Sequence, residues 1–384
     1  MSVFNYLKRG LRKAGLLPHV KRLLTPLAKL SERHRGAAAL LYLIRLVNER
    51  LNYAECTNVH DLPAIFHYWT NRYLLPKFEP YGFSNINSFF TLNLEQRFAR
   101  EDKDCRRFIS IGSGNCDSEI VFAKLLMGQG HENFTIECLD INQEMLERGK
   151  ALAEKEGVAE KVIPLQGDFN TWKPSRQYDA VIANQSLHHV LELEHLFDSI
   201  KTALGENGRF IVSDMIGRNG HQRWPEALPI VREFWEELPK AYHFNHLLHC
   251  YQKIFRNDET VGLFNFEGIR AQDILPLSVK YFHFEFFAGF ANVIDPFIDR
   301  TFGYNFDVNK AWDREFIDRV HARDEKEILS GRIKPTHMLA VMSNDHSVKG
   351  VFVDGLTPEQ CMRKSWRSSN PTLSGSSSQD AAEI

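Results

Sequence analysis

The sequence lacks paired cysteines: its six (Cys56, Cys105, Cys116, Cys138, Cys250, Cys361) are scattered, without the spacing of a zinc module. That argues against a disulfide framework and fits a reducing compartment. Long apolar runs are missing too. The longest near the N-terminus, Ala37 to Ile44, is eight residues, far short of the ~20 that a membrane span needs. No charged start with an apolar stretch and a small-residue cleavage site is visible, so the expected location is cytoplasmic. Nor is there a large net charge, since 47 Lys+Arg face 49 Asp+Glu. The balance is uneven along the chain, however. Residues 1–35 hold nine Lys and Arg against Glu32 alone, a local +8, which leaves −10 for the rest. Such an acidic body makes nucleic acid an unfavoured partner. The basic segment, striped by Val3, Phe4, Leu7, Leu11, Val20, Leu23, Leu24 and Leu27, suits either a helix packed on the body or peripheral contact with an anionic membrane.

At roughly 100–200 residues per domain, the length allows two or three units. Residues 1–100 read as a helical N-terminal region. Pro18 and Pro26 break its basic part, a helix runs from about Gly36 to Asn52, and an aromatic-rich helical stretch from His60 to Arg100 is broken at Pro76 and Pro80. From Arg107 the texture changes to short apolar runs separated by helical segments. Phe108–Ile111, Thr135–Leu139, Val162–Leu165, Ala180–Ala183 and Phe210–Val212 are strand candidates, with helices near Ser118–Met127, Gln143–Glu156 and Leu191–Ala203. Strands alternating with helices imply an α/β, doubly wound parallel sheet. Insertions interrupt it at about 215–264 and 288–335. Phe266–Leu275 reads as helix, Val279–Phe287 as strand and Met338–Met342 as the last strand. Residues 344–384, poor in apolar side chains, read as a disordered tail.

The first strand runs into Ser110-Ile111-Gly112-Ser113-Gly114-Asn115-Cys116-Asp117. Glycines there let the chain turn sharply, admit a ligand to the backbone, and aim helix N-terminal N–H groups at it. The second strand ends at Asp140-Ile141, where a carboxylate can accept from both ribose hydroxyls. The third ends at Gly167-Asp168-Phe169, the fourth at Asn184 before Gln185-Ser186-Leu187-His188-His189, and the fifth at Asp214. In an open parallel sheet these ends share one crevice.

These residues resemble the class I S-adenosylmethionine-dependent methyltransferases, over roughly Arg107–Asp214 with a closing segment to Met342. The resemblance implies a Rossmann-like sheet of seven strands and S-adenosyl-L-methionine as cofactor. Gly112, Ser113 and Gly114 would pass under its methionine part, and Asp140 and Ile141 would hold the ribose. Asp168 and Phe169 would flank the adenine, and Asn184 would line the methionine end. The stretches Asp214–Pro225 and Phe266–Leu275 look like a bacterial small-molecule subgroup. Two departures stand out. Ser110 replaces the family's acid before the first glycine, with Asp117 or Glu119 as substitutes, and Cys116 replaces its third glycine. A nicotinamide dehydrogenase would need a glycine at Asp117.

Methyl transfer from a sulfonium needs alignment above all, with a base where the acceptor is a hydroxyl. His188, His189 and Asp214 are the catalytic candidates, being next to the expected methyl. Asn184-Gln185-Ser186-Leu187 stands where amide-nitrogen methyltransferases carry Asn/Asp-Pro-Pro-aromatic, so oxygen or carbon is the favoured acceptor atom. Metal is not expected, because His188-His189 lacks ligand spacing. Aromatic residues of the insertions, Trp235, Tyr242, Phe297, Phe302 and Phe306 among them, suit a small or lipid-linked organic acceptor or else a plain core. Arg218, Arg223 and Arg270 are either anion ligands or solvated. The alternatives are a non-catalytic cofactor-binding or scaffold protein and an RNA methyltransferase; a homodimer is compatible with the sequence.

Overall fold

The computed structural model describes residues 35–53, 61–99, 105–257 and 266–364. The basic segment expected to pack on the body or meet a membrane lies outside the described residues up to position 34, as does the Ser-rich end from 365. Among the described residues no helix is long and apolar enough to cross a membrane.

The expected parallel sheet forms. Its strands are β1 (Arg106–Ile111), β2 (Phe134–Asp140), β3 (Val162–Gln166), β4 (Tyr178–Asn184), β5 (Leu204–Met215), β6 (His283–Phe290), β7 (His337–Ser343) and β8 (Val351–Phe352). Their order is β8-β6-β7-β5-β4-β1-β2-β3. β7 runs antiparallel to both β5 and β6, and every other pair is parallel. The chain order reverses between β1 and β4, the switch point where open α/β sheets open a crevice. Phe108, Ile109, Ile111, Ala180, Val181, Ile182, Phe210, Ile211 and Val212 are wholly buried, as strands covered by helices on both faces must be.

Eight strands stand where seven were expected. The extra one comes from the region read as a disordered tail: Val351 and Phe352 pair with Phe286 and Phe287, and a helical turn at Pro358–Cys361 follows, capped by Thr357. Few apolar residues suffice there because Val353 and Cys361 are both buried against the core. The start of β6 also shifts. Val279 to Tyr281 remain helical and the strand begins at His283, since the helix Ala271–Tyr281 carries its apolar face through Leu277.

On the N-terminal side, α1 (Arg35–Tyr53) precedes an irregular helix over 64–78 and then α2 (Ile86–Glu95). Pro76 does not break the first of these outright. A π-helical turn at Thr70–Leu74 absorbs it, widening the coil where proline has no N–H to give and crowds the preceding turn. The Asn85 and Ser88 capping box starts α2, which buries Phe89 and Phe90 against the sheet.

Most insertion aromatics prove to be core. Phe234, Trp235, Phe297, Phe302, Phe306 and Phe316 form a buried cluster that also takes in Ile65 and Trp69. Each such ring contributes about 1.5–3 kcal/mol by leaving water, so the aromatic wall imagined for an acceptor serves chiefly to fasten the insertions to the N-terminal region.

Candidate active site

β1 delivers Gly112 and Gly114 with φ of +72° and +56°, left-handed values that glycine adopts without strain. At Gly112 close approach matters as well, because a Cβ there would stand 2.6 Å from Cβ of Ser186. Cys116, in the third-glycine position, adopts φ +57° itself, at a cost of about 1–2 kcal/mol. It then starts α3 (Asp117–Gly128). α4 (Gln143–Lys155) closes over the turn: a Cβ on Gly149 would meet the Asn115 carbonyl oxygen at 2.7 Å.

The missing acid is replaced across the turn. Ser110 Oγ donates to Glu119 Oε1 at 2.6 Å, and Glu119 is buried. Burial pushes its carboxyl up to about 7, against the lowering effect of the Ser110 hydrogen bond. Its Oε2 is buried without a hydrogen-bond partner among the described residues.

The other predicted residues gather around this turn. Asp140 accepts from Gly114 N–H through Oδ2 and from Asn142 N–H through Oδ1, both at 2.8 Å, with Ile141 half-buried beside it. Phe169 is buried, with a ring carbon 3.7 Å from a Cβ built on Gly112. Asn184 Nδ2 donates to Ser118 Oγ at 3.3 Å. Asp168 is already engaged. Its Oδ1 accepts from Asn170 N–H at 2.9 Å, and its Oδ2 accepts from the Tyr42 hydroxyl. Tyr42 belongs to α1, which therefore reaches over the third strand end; nothing in the sequence pattern linked residue 42 to residue 168.

Asp214 is fully buried and saturated. It accepts from Ser186 N–H at 2.9 Å, from Leu187 N–H at 2.7 Å and from Met215 N–H at 2.7 Å. Its Oδ1 lies 2.7 Å from His188 Nδ1. A carboxylate so occupied holds the turn after β4 and the His188 ring together. His188 Nε2 faces Glu267 Oε1 at 3.5 Å, so both ring nitrogens are committed. Burial would lower its pKa, but Asp214 and Glu267 outweigh that and hold it up at about 10.

Glu267 is the residue that sequence reasoning missed, although the stretch around it stood out. Its carboxylate meets three histidines: His221 Nε2 at 2.5 Å, His188 Nε2 at 3.5 Å and His189 Nε2 at 3.5 Å. Burial raises its pKa, but the histidines dominate and hold it well below the usual range. The spacing test that argued against metal looked only at neighbours in sequence. The fold instead brings His188, His221 and Glu267 together from three separate segments.

The three arginines weighed as anion ligands all have partners within the fold. Arg270 is buried and donates to Glu194 Oε2 at 2.6 Å and to Asp273 Oδ2 at 2.8 Å. Arg223 donates to Asp295 Oδ2 at 2.6 Å. Arg218 sits over the Trp224 ring, 5.8 Å from its centroid.

Residues 102–268 match the family model described as a methyltransferase domain. No curated protein matches the chain. Among solved structures, the chain is similar to an O-methyltransferase from a trans-AT polyketide synthase multienzyme of Brevibacillus brevis in complex with S-adenosyl-L-homocysteine. The identity is 12%, over 79% of this chain and 88% of that one, with a TM-score of 0.42. It is also similar to geranyl diphosphate methyltransferase in complex with GPP and sinefungin, at 10% identity over 67% and 78% of the two chains and a TM-score of 0.37. A third similarity is to DhpI in complex with SAH, at 22% identity over 39% and 67%, TM-score 0.25. The matched residues carry the five parallel strands β1 to β5 and the glycine turn between β1 and α3.

Proposed function

We propose that the crevice at the ends of β1 to β4 holds S-adenosylmethionine, and that the chain methylates a small or lipid-linked organic acceptor at oxygen or carbon. The observation that carries this reading is the Asp214–His188–Glu267–His221 cluster, built onto the turn whose Ser186 packs against Gly112. Polar, titratable side chains are thereby gathered beside the glycine turn, where an acceptor would meet the methyl.

In this reading Gly112, Ser113 and Gly114 underlie the methionine part, and Asn184 lines it. Asp140, with Ile141 beside it, takes the ribose hydroxyls, since a carboxylate accepts from both. Asp168 and Phe169 flank the adenine, and an adenine amino group on Asp168 would displace the Tyr42 hydroxyl. Glu119, with Oε2 buried and unmatched, fits a cationic ammonium. When bound, the cofactor supplies an electrophilic methyl with a neutral thioether as leaving group. Asp214 sets the turn after β4, and His188, held at both nitrogens, fixes Glu267. We assign His189, whose Nε2 also faces Glu267 at 3.5 Å, to take the acceptor's proton. Alignment in this desolvated crevice contributes up to ~7–11 kcal/mol.

Mass-spectrometric comparison of metabolites in cells with and without the gene tests this. A compound that accumulates one methyl lighter, and that purified protein converts with S-adenosylmethionine, is the expected result. Cofactor binding with no converted compound would favour a non-catalytic binding protein.

A further inference from the structure

His188 follows β4, His221 lies in the turn Asn219–His221 after β5, and Glu267 precedes the helix Ala271–Tyr281. One ligand atom of each falls within 4.8 Å of the other two. Bonds of about 2.0–2.2 Å from one ion to imidazole nitrogen and carboxylate oxygen place neighbouring donors about 3 Å apart. The Glu267 distances to His221 and His188, 2.5 and 3.5 Å, bracket that spacing.

Two features hold these groups in place. His188 Nδ1 lies 2.7 Å from the fully buried Asp214, the carboxylate–histidine pairing that fixes a ligating ring; its Nε2 is thereby turned to Glu267 Oε1 at 3.5 Å, a gap that an ion shared by the two would fill. The segments carrying His221 and Glu267 touch through Gly220 and Gly268. Gly220 N–H donates to Gly268 O at 2.8 Å, and a Cβ on Gly268 would come within 3.0 Å of Gly220 N and 3.2 Å of His221 Cε1. His221 itself is held at φ +54°, a region that few residues other than glycine enter.

We propose that His188, His221 and Glu267 bind one divalent first-row transition-metal ion, with an oxygen of the methyl acceptor completing its coordination. Two imidazoles and a carboxylate suit Zn²⁺, Fe²⁺, Co²⁺ or Mn²⁺ better than Ca²⁺ or Mg²⁺. Three protein ligands leave positions open. An ion there would lower the pKa of an acceptor hydroxyl or enol. The acceptor's proton leaves to His189, its oxygen or carbon electron pair forms the bond to the methyl carbon, and the carbon–sulfur pair stays on sulfur. The acceptor's part in this rests on the function proposed above; the ion's binding does not.

The test is titration of Co²⁺ into the chelator-stripped full chain, followed by visible absorption and calorimetry, with S-adenosylhomocysteine binding measured in parallel. One ion per chain is expected. Asp214→Asn should weaken it by about 10–100-fold, His221→Ala and Glu267→Gln by more, and His246→Ala not at all. S-adenosylhomocysteine binding retained by Glu267→Gln shows that the variant is folded. Absence of saturable Co²⁺ absorption in the wild-type protein overturns the proposal, as does undiminished affinity in Glu267→Gln. Cofactor-product binding without Co²⁺ binding sinks the metal site alone; Co²⁺ binding without product binding supports the metal site and sinks the methyltransferase crevice instead.

Discussion

Glu119→Gln is expected to weaken S-adenosylmethionine binding about 10²-fold, the equivalent of one charge-assisted hydrogen bond of about 1.5–3 kcal/mol. It should also flatten the pH dependence of binding. Ser110 stands where the resemblance to class I methyltransferases implies an acid, and Glu119 brings a carboxylate to it from α3. Buried, this carboxyl sits up at about 7, so in the free protein it is protonated in mildly acidic solution. Accepting an ammonium there requires releasing that proton, and affinity should fall about tenfold per pH unit below 7. Glutamine has no proton to release. Stability moves by the same logic. The folded state keeps the Glu119 proton up to about 7, whereas the unfolded chain releases it near its ordinary value of ~4.3. The folded state therefore binds more protons across that window, and stability falls as pH rises through it. In Glu119→Gln that slope should be gone. Calorimetry and thermal unfolding from about pH 5 to 8.5 cover the window; wild-type-like binding by the variant at every pH would refute the assignment.

The second large effect concerns Asp214. Asp214→Ala is expected to destabilise the fold by about 3–5 kcal/mol, because it strands a buried charged imidazole, the buried N–H groups of Ser186 and Leu187 and the part-buried N–H of Met215. Asp214→Asn keeps an oxygen for the backbone but presents an amide to His188, and should retain most of the stability. Methyl transfer by Asp214→Asn should nevertheless drop by about 10²–10⁴-fold, the range a positioned proton-transfer group supplies. Its S-adenosylmethionine affinity should stay within a few-fold of wild type, since Asp214 lies away from Asp140 and Glu119. Full turnover by Asp214→Asn would remove Asp214 from the positioning chain and leave the Ser186–His188 turn to its backbone alone.

The first five strands were legible because their apolar runs are short, fully buried and bounded by turn residues. The strand-end residues from Gly112 to Asp214 were legible for the same reason: the topology forces consecutive strand ends into one crevice. What escaped was set by contacts distant in sequence. Val351 and Phe352 are too short a pair to announce a strand, and they pair only because β6 offers an open edge. Glu119 was one of two substitutes until the first turn of α3 aimed it at Ser110. The environments of His188 and Asp214 are not encoded in periodicity: two carboxylates hold the His188 pKa up against burial, and four hydrogen-bonding partners occupy Asp214. Glu267 and Tyr42 have no local signature at all, because their partners come from segments dozens of residues away.

The central claim is that the strand-end crevice is a cofactor site. Calorimetric titration of S-adenosylmethionine into the full chain, alongside Asp140→Ala, tests it most directly. One saturable site in the wild-type protein, lost in Asp140→Ala, is the predicted result; no heat of binding in the wild type, or equal binding by the variant, would contradict it.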